Sequence, residues 1–158
     1  MTKGERISQF VEELEGASPA ADEGEIAQHP CYRGFFRCWN EQRYYEAHDV
    51  LEHLWLKTTS GDADYFKGLI QAAGAFVHVQ KQFQHPTHRV HGRRLAPAVR
   101  LFRLAEKNLA AFGPTRHGLD IPELVALLQR NAEAIVQSEF TRNPWSPGSA
   151  PMLSLLSS

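Results

Sequence analysis

The sequence predicts an all-α protein, a compact helical bundle of four to five main helices around a central antiparallel helix pair. Three observations carry that expectation. Apolar residues recur at helical spacing over two long stretches, 43–58 and 62–83. The breaker Thr58-Thr59-Ser60-Gly61-Asp62 joins them through a link short enough to make antiparallel neighbours. No stretch shows the apolar-polar alternation of a strand, and no internal repeat is present.

Taken in order, residues 5–15 place Ile7, Phe10, Val11 and Leu14 at helical spacing. The following segment to Gly24, with Ser18, Pro19 and Asp22, has linker composition. Pro30 suits the first turn of a helix that carries Phe35, Phe36 and Trp39 to about Asn40. The central pair follows, with Asp62 as the expected N-cap of its second member. His85-Pro86-Thr87 ends that helix. A further stripe, Val99, Phe102, Ala105 and Leu109, runs to the stop at Gly113-Pro114. Asp120 with Glu123, and Pro122 in the first turn, open a last helix through Leu124, Leu128 and Ile135, ending near Phe140. The Pro- and Ser-rich end from Asn143 is expected to be extended. The expected organisation is an acidic amino-terminal arm over 1–28, one helical domain over 29–141 and a carboxy-terminal tail over 142–158.

Composition narrows the function classes. Of 158 residues, 42% are hydrophobic and 22% charged, enough for one core. A net charge of -1 gives no overall attraction to nucleic acid or acidic lipid. There is no run of eighteen apolar residues, which argues against a membrane partner and for a cytoplasmic location. Only two cysteines occur, Cys31 and Cys38. Seven residues of helix separate them by about 10 Å, beyond disulfide reach, so burial on one face is expected.

Chemistry concentrates in the central pair. At about 100° per residue, Ala47, Leu51 and Leu54 face one way, His48 and Trp55 edge that stripe, and Glu52 stands one step further round. Glu46 belongs to a different face near the helix start, where negative charge is favourable. On the second helix Gln71 and His78 align across seven residues, among Gly68, Gly74 and Ala75. Small residues there admit close approach of a neighbouring backbone, or a pocket. Polar groups in apolar runs need partners, so His48, Glu52, Gln71 and His78 are expected to converge between antiparallel helices. Two imidazoles and a carboxylate, His48, His78 and Glu52, would accept a divalent transition metal as cofactor. Neither the paired Glu-x-x-His motifs of di-iron bundles nor a His-Glu-x-x-His motif is present.

Beyond the pair, Lys81 to Lys107 carries seven basic residues against the single acid Glu106. Its surface group is Arg89, Arg93, Arg94, Arg100 and Arg103. This segment suits an anion, but nucleic acid is disfavoured as a partner because no aromatic-interleaved recognition motif accompanies it. His85, His88 and His91 fall in a Pro- and Gly-interrupted loop, which opposes a preformed metal face.

Trp39-Asn40, then Tyr44-Tyr45-Glu46-Ala47-His48-Asp49-Val50-Leu51-Glu52-His53-Leu54-Trp55, then Gly68-Leu69-Ile70-Gln71-Ala72-Ala73 and His78, form a distinctive set. Over residues 35–110 the chain resembles the bacterial and archaeal family called domain of unknown function 309. The resemblance implies a small all-helical bundle with no assigned activity. The family's Glu-Ala-His and Gly-Leu-Ile-Gln elements fall on Glu46 to His48 and Gly68 to Gln71. The chain departs from the family at Gln42, where a turn Gly is usual, at His53, where an acid is common, and by an insertion over 85–92.

Three readings of function follow. In the first, the protein is a non-catalytic binding or structural module, open to homo-oligomer formation, whose buried His/Glu/Gln cluster fixes helix packing. In the second, the same residues serve a metal-dependent enzyme or a small-molecule binder. In the third, an anion or nucleic acid binds the basic segment 81–107.

Overall fold

A computed structural model describes residues 25–89 and 92–156. The helix and linker expected before Glu25, and His91, lie outside those residues. Among the described residues five α-helices form: α1 Pro30–Asn40, α2 Tyr44–Leu56, α3 Ala63–Gln84, α4 Leu95–Leu109 and α5 Ile121–Gln137. Each packs on its neighbours in sequence, and the α3–α4 contact is the most extensive. The all-α bundle with a central α2–α3 pair is therefore the architecture. Among the described residues, no helix is long and apolar enough to cross a membrane.

Local signals explain most boundaries. Pro30 occupies the first turn of α1, and His29 Nδ1 accepts from the Cys31 amide at 3.1 Å. The turn after α1 places Gln42 at a left-handed φ of 61°. A glycine would adopt that conformation without a side-chain penalty. Gln42 is held there by two bonds: its carbonyl accepts from Gln80 Nε2, and its Nε2 donates to the Pro147 carbonyl, each at 2.9 Å. Asp120 caps α5 by accepting from the Glu123 amide at 3.0 Å. That helix stops at Gln137, a little before the expected Phe140.

The core is an aromatic stack centred on Phe76 of α3. Its ring meets Trp39 of α1 at 4.7 Å, Tyr44 of α2 at 5.4 Å and Phe102 of α4 at 5.3 Å. One side chain therefore ties four helices, and truncating such a ring typically costs about 3–5 kcal/mol. Phe35, Phe36, Trp39 and both cysteines are buried as expected, whereas Trp55 is only half-buried against the core. Burial pushes the Cys38 thiol up to about 11, which leaves it a packing group rather than a nucleophile.

Two features depart from the sequence expectation or decide between its alternatives. A short hairpin precedes α5, with β1 Thr115–Arg116 paired antiparallel to β2 Leu119–Asp120. Its turn residues His117 and Gly118 both have positive φ, 46° and 84°, the pattern of a two-residue hairpin turn. The other concerns the small residues of α3, where of the two expected alternatives the close approach, and not the pocket, is met at Gly68. A Cβ on Gly68 would lie 2.8 Å from Leu109 Cγ, so α4 sits against bare backbone there.

The carboxy-terminal stretch is docked as a strap. Trp145 and Leu153 are buried, and Trp145 Nε1 donates to the Tyr44 hydroxyl at 3.1 Å. Trp39 Nε1 donates to the Pro151 carbonyl at 3.0 Å. Asn40 clamps Leu153 through both its backbone groups at 2.8 Å each.

Candidate functional site

On α2, His48 Nδ1 lies 2.9 Å from Asp49 Oδ1 and 3.7 Å from Glu52 Oε2. Neighbouring positions and the helical i,i+4 spacing produce this group without help from the rest of the fold. Donor atoms of the three residues all lie within 4.8 Å of one another. The carboxylate of Asp49 accepts, so Nδ1 of His48 carries the proton in this arrangement and Nε2 presents a lone pair. The side chains are 34%, 22% and 40% exposed, which keeps the group open to solvent.

Gln71 and His78 sit on the other flank of α3 and are bonded to α4. Gln71 Oε1 accepts from Asn108 Nδ2 at 2.6 Å. His78 Nδ1 lies 3.1 Å from Arg94 Nη1. A guanidinium can only donate, so Nδ1 accepts and the remaining proton resides on Nε2. Burial, with Arg94 and Arg100 adding to it, holds the His78 imidazole below its ordinary range and therefore neutral.

The structure thus divides the expected cluster. Among the described residues, no hydrogen bond joins His48 or Glu52 to Gln71 or His78. None of the four is fully buried, so the expected sealed core network is instead half-open to water. Asp49, which the sequence reading left aside, bonds His48 more closely than Glu52 does. Its signal was present in the sequence, since adjacent His and Asp residues on a helix edge place donor and acceptor within reach. Glu46 stands apart, on the α1 side of α2, where its charge acts on the Cys38 thiol.

The basic residues Arg89, Arg93, Arg100 and Arg103 are exposed. Arg94 is not one of that surface group, because it is half-buried against His78. Arg103 lies 3.4 Å from Glu106. His85 and His88 lie in an exposed loop, as expected.

A second polar centre has no counterpart in the sequence reading. Asp62 was expected to cap α3, yet its side chain makes no capping bond. Its Oδ1 instead accepts from Arg116 Nε at 2.9 Å, Arg116 Nη2 at 2.6 Å and His117 Nε2 at 2.9 Å. Burial alone would raise the Asp62 carboxyl, but the bonds from His117 and Arg116 outweigh it and hold the group below its ordinary range. Beneath, the hydroxyls of Tyr32 and Tyr65 meet at 2.7 Å and reach the hairpin carbonyls of His117 and Arg116 at 3.1 and 3.3 Å. Burial drives both phenols far above their ordinary range, so they remain neutral. Through these bonds the centre fastens the hairpin to α1 and α3. The His117-Gly118 pair between short flanks was the one sequence signal for it.

These features define the class first: a five-helix bundle with polar groups on both flanks of its central helix. Comparison adds a likeness: residues 32–90 are similar to the family described as Domain of unknown function (DUF309), whose model they match. The match covers α1, α2 and α3, including His48, Asp49, Glu52, Gln71 and His78, and stops short of their α4 partners. No curated protein and no solved structure matches the chain.

Proposed function

We propose that the protein is a binding module in which His48, Asp49 and Glu52 take a divalent cation, while Gln71 and His78 fix the packing of α3 on α4. One observation carries this reading: an imidazole and two carboxylates bring their donor atoms within 4.8 Å on a half-open helix edge. A cation placed among them would take Nδ1 of His48, whose proton would move to Nε2, together with two carboxylate oxygens, a donor set suited to a borderline divalent metal. His78 does not join that set, because its Nδ1 lone pair is occupied by the positively charged Arg94.

The surroundings support a ligand-facing position. Gln80 bonds the Gln42 carbonyl, which sets the antiparallel level of α2 and α3. Six residues along α2 from Gln42, and six back along α3 from Gln80, His48 and Gly74 share one level. His48 lies only about 40° round α2 from Tyr44, whose ring packs on α3. On the far flank of Gly74 stands Leu101 of α4. A shallow strip over Gly74, with carboxylates along α2 and a guanidinium along α4, is the surface such a module would offer.

Three protein donors also leave coordination positions for water, the requirement of the metal-dependent enzyme reading. Both readings need the metal. The burial of both cysteines on one helix accords with a reducing, cytoplasmic setting. The test is calorimetric titration of the tag-free chain with Zn²⁺ and Mn²⁺, beside elemental analysis of the purified protein. One-to-one binding that weakens at least about tenfold in His48→Ala is expected, with Gln71→Leu lowering Tm only. Binding that survives His48→Ala unchanged, or no binding, would overturn the reading.

A further inference from the structure

We infer that a second cleft, bordered by α1, the hairpin tip and the strap, binds a small amphipathic anion: a carboxylate or phosphate on an apolar body. The cleft has a volume of about 610 Å³, within the range of small-molecule sites. Its charge is one-sided. Arg33 and Arg37, one turn apart on α1, both line it, and among the described residues no carboxylate side chain does. That contrasts with a chain whose net charge is -1.

Arg33 is set for the task. Its Nε donates to the Ala27 carbonyl at 3.1 Å, which fixes the guanidinium plane and leaves both Nη groups for an incoming anion. Arg37 contributes less, since Glu41 lies 3.5 Å from its Nε and shares its charge. Phe36, Leu153 and Leu155 supply the apolar part of the wall. The far side is held in place rather than loose: Asn40 clamps Leu153, and the Leu156 amide donates to the Gly118 carbonyl at 2.6 Å. An apolar stretch of wall beside a guanidinium suits a molecule with one anionic end and one hydrocarbon end.

The experiment is calorimetric titration of the full chain with octanoate and octyl phosphate, with octanol and inorganic phosphate as the two half-ligands. Both amphipathic anions are expected to bind one site more tightly than either half-ligand, and the tighter of the two identifies the head group. Arg33→Ala should weaken binding about tenfold, Arg37→Ala less, with circular dichroism showing both variants folded. Octanol binding as tightly as octanoate would remove the role of charge, and inorganic phosphate matching octyl phosphate would remove the apolar wall. Either result, an unaffected Arg33→Ala, or no binding up to millimolar ligand overturns the inference.

Discussion

His48 with Asp49, and His117 with Asp62, are two histidine–carboxylate contacts of one length, 2.9 Å, that do different things. The first joins adjacent residues of a single helix. It holds no two elements together, and its second carboxylate neighbour, Glu52, is 40% exposed. The second joins residues 55 apart in sequence, and the same Asp62 oxygen also takes two bonds from Arg116. There the carboxylate is 13% exposed, and its partners belong to a hairpin that Tyr65 of α3 also holds through the Arg116 carbonyl. Equal distance therefore says little about role. What separates a site open to ligand from a structural clasp is how many elements the bond spans and how many donors and acceptors remain free.

That contrast can be broken most directly by truncation. Asp62→Ala leaves a guanidinium and an imidazole without their acceptor, and a loss of about 2–3 kcal/mol is expected from urea unfolding. Asp49→Ala, at the other pair, should stay within about 0.5 kcal/mol. Equal losses would remove the distinction.

A smaller effect is expected from pH, through the packing half of the divided cluster. His78 has a folded-state pKa below its ordinary 6.5, so its neutral form contributes stability that is present above that value and lost as pH falls. The urea midpoint should drop between pH 7.5 and 5.5. His78→Gln keeps an acceptor for Arg94 and has no proton to gain, so its midpoint should change less over the same interval. Parallel slopes would show that another group titrates. The smallest effect belongs to the left-handed Gln42. Gln42→Ala removes the bond to Pro147 and should cost about 0.5–1 kcal/mol, whereas Gln42→Gly relieves the backbone by about as much and should come out near zero. The difference between the two variants isolates the backbone contribution.

Much of the fold was legible because its signals are local. Pro30, Asp120 with Pro122, and the stripe of Phe102, Ala105 and Leu109 mark helix starts and buried faces through spacing alone. The candidate site was legible only in part. His48 and Glu52 were recognised because i,i+4 spacing on one helix is a property of sequence. Their expected junction with Gln71 and His78 did not appear as a hydrogen-bonded cluster, because α4 lies on the other flank of α3 and supplies Asn108 and Arg94 as nearer partners. Asp62 was misjudged for a related reason. The position is right for a cap, but two strong donors from the hairpin outcompete the backbone amides for its oxygen.

By itself, then, the sequence determined the helical stretches, most of their buried faces, and the motifs by which the α1–α3 stretch resembles a known family. Each depends on residues a few positions apart, where helix geometry sets the distances. Only the tertiary structure decided which polar groups are partnered and which stay open, where the strap lies, and that Arg33 and Arg37 border a cleft. Those outcomes depend on which elements meet, and a hydrogen bond between residues fifty or a hundred positions apart leaves no periodicity in the chain.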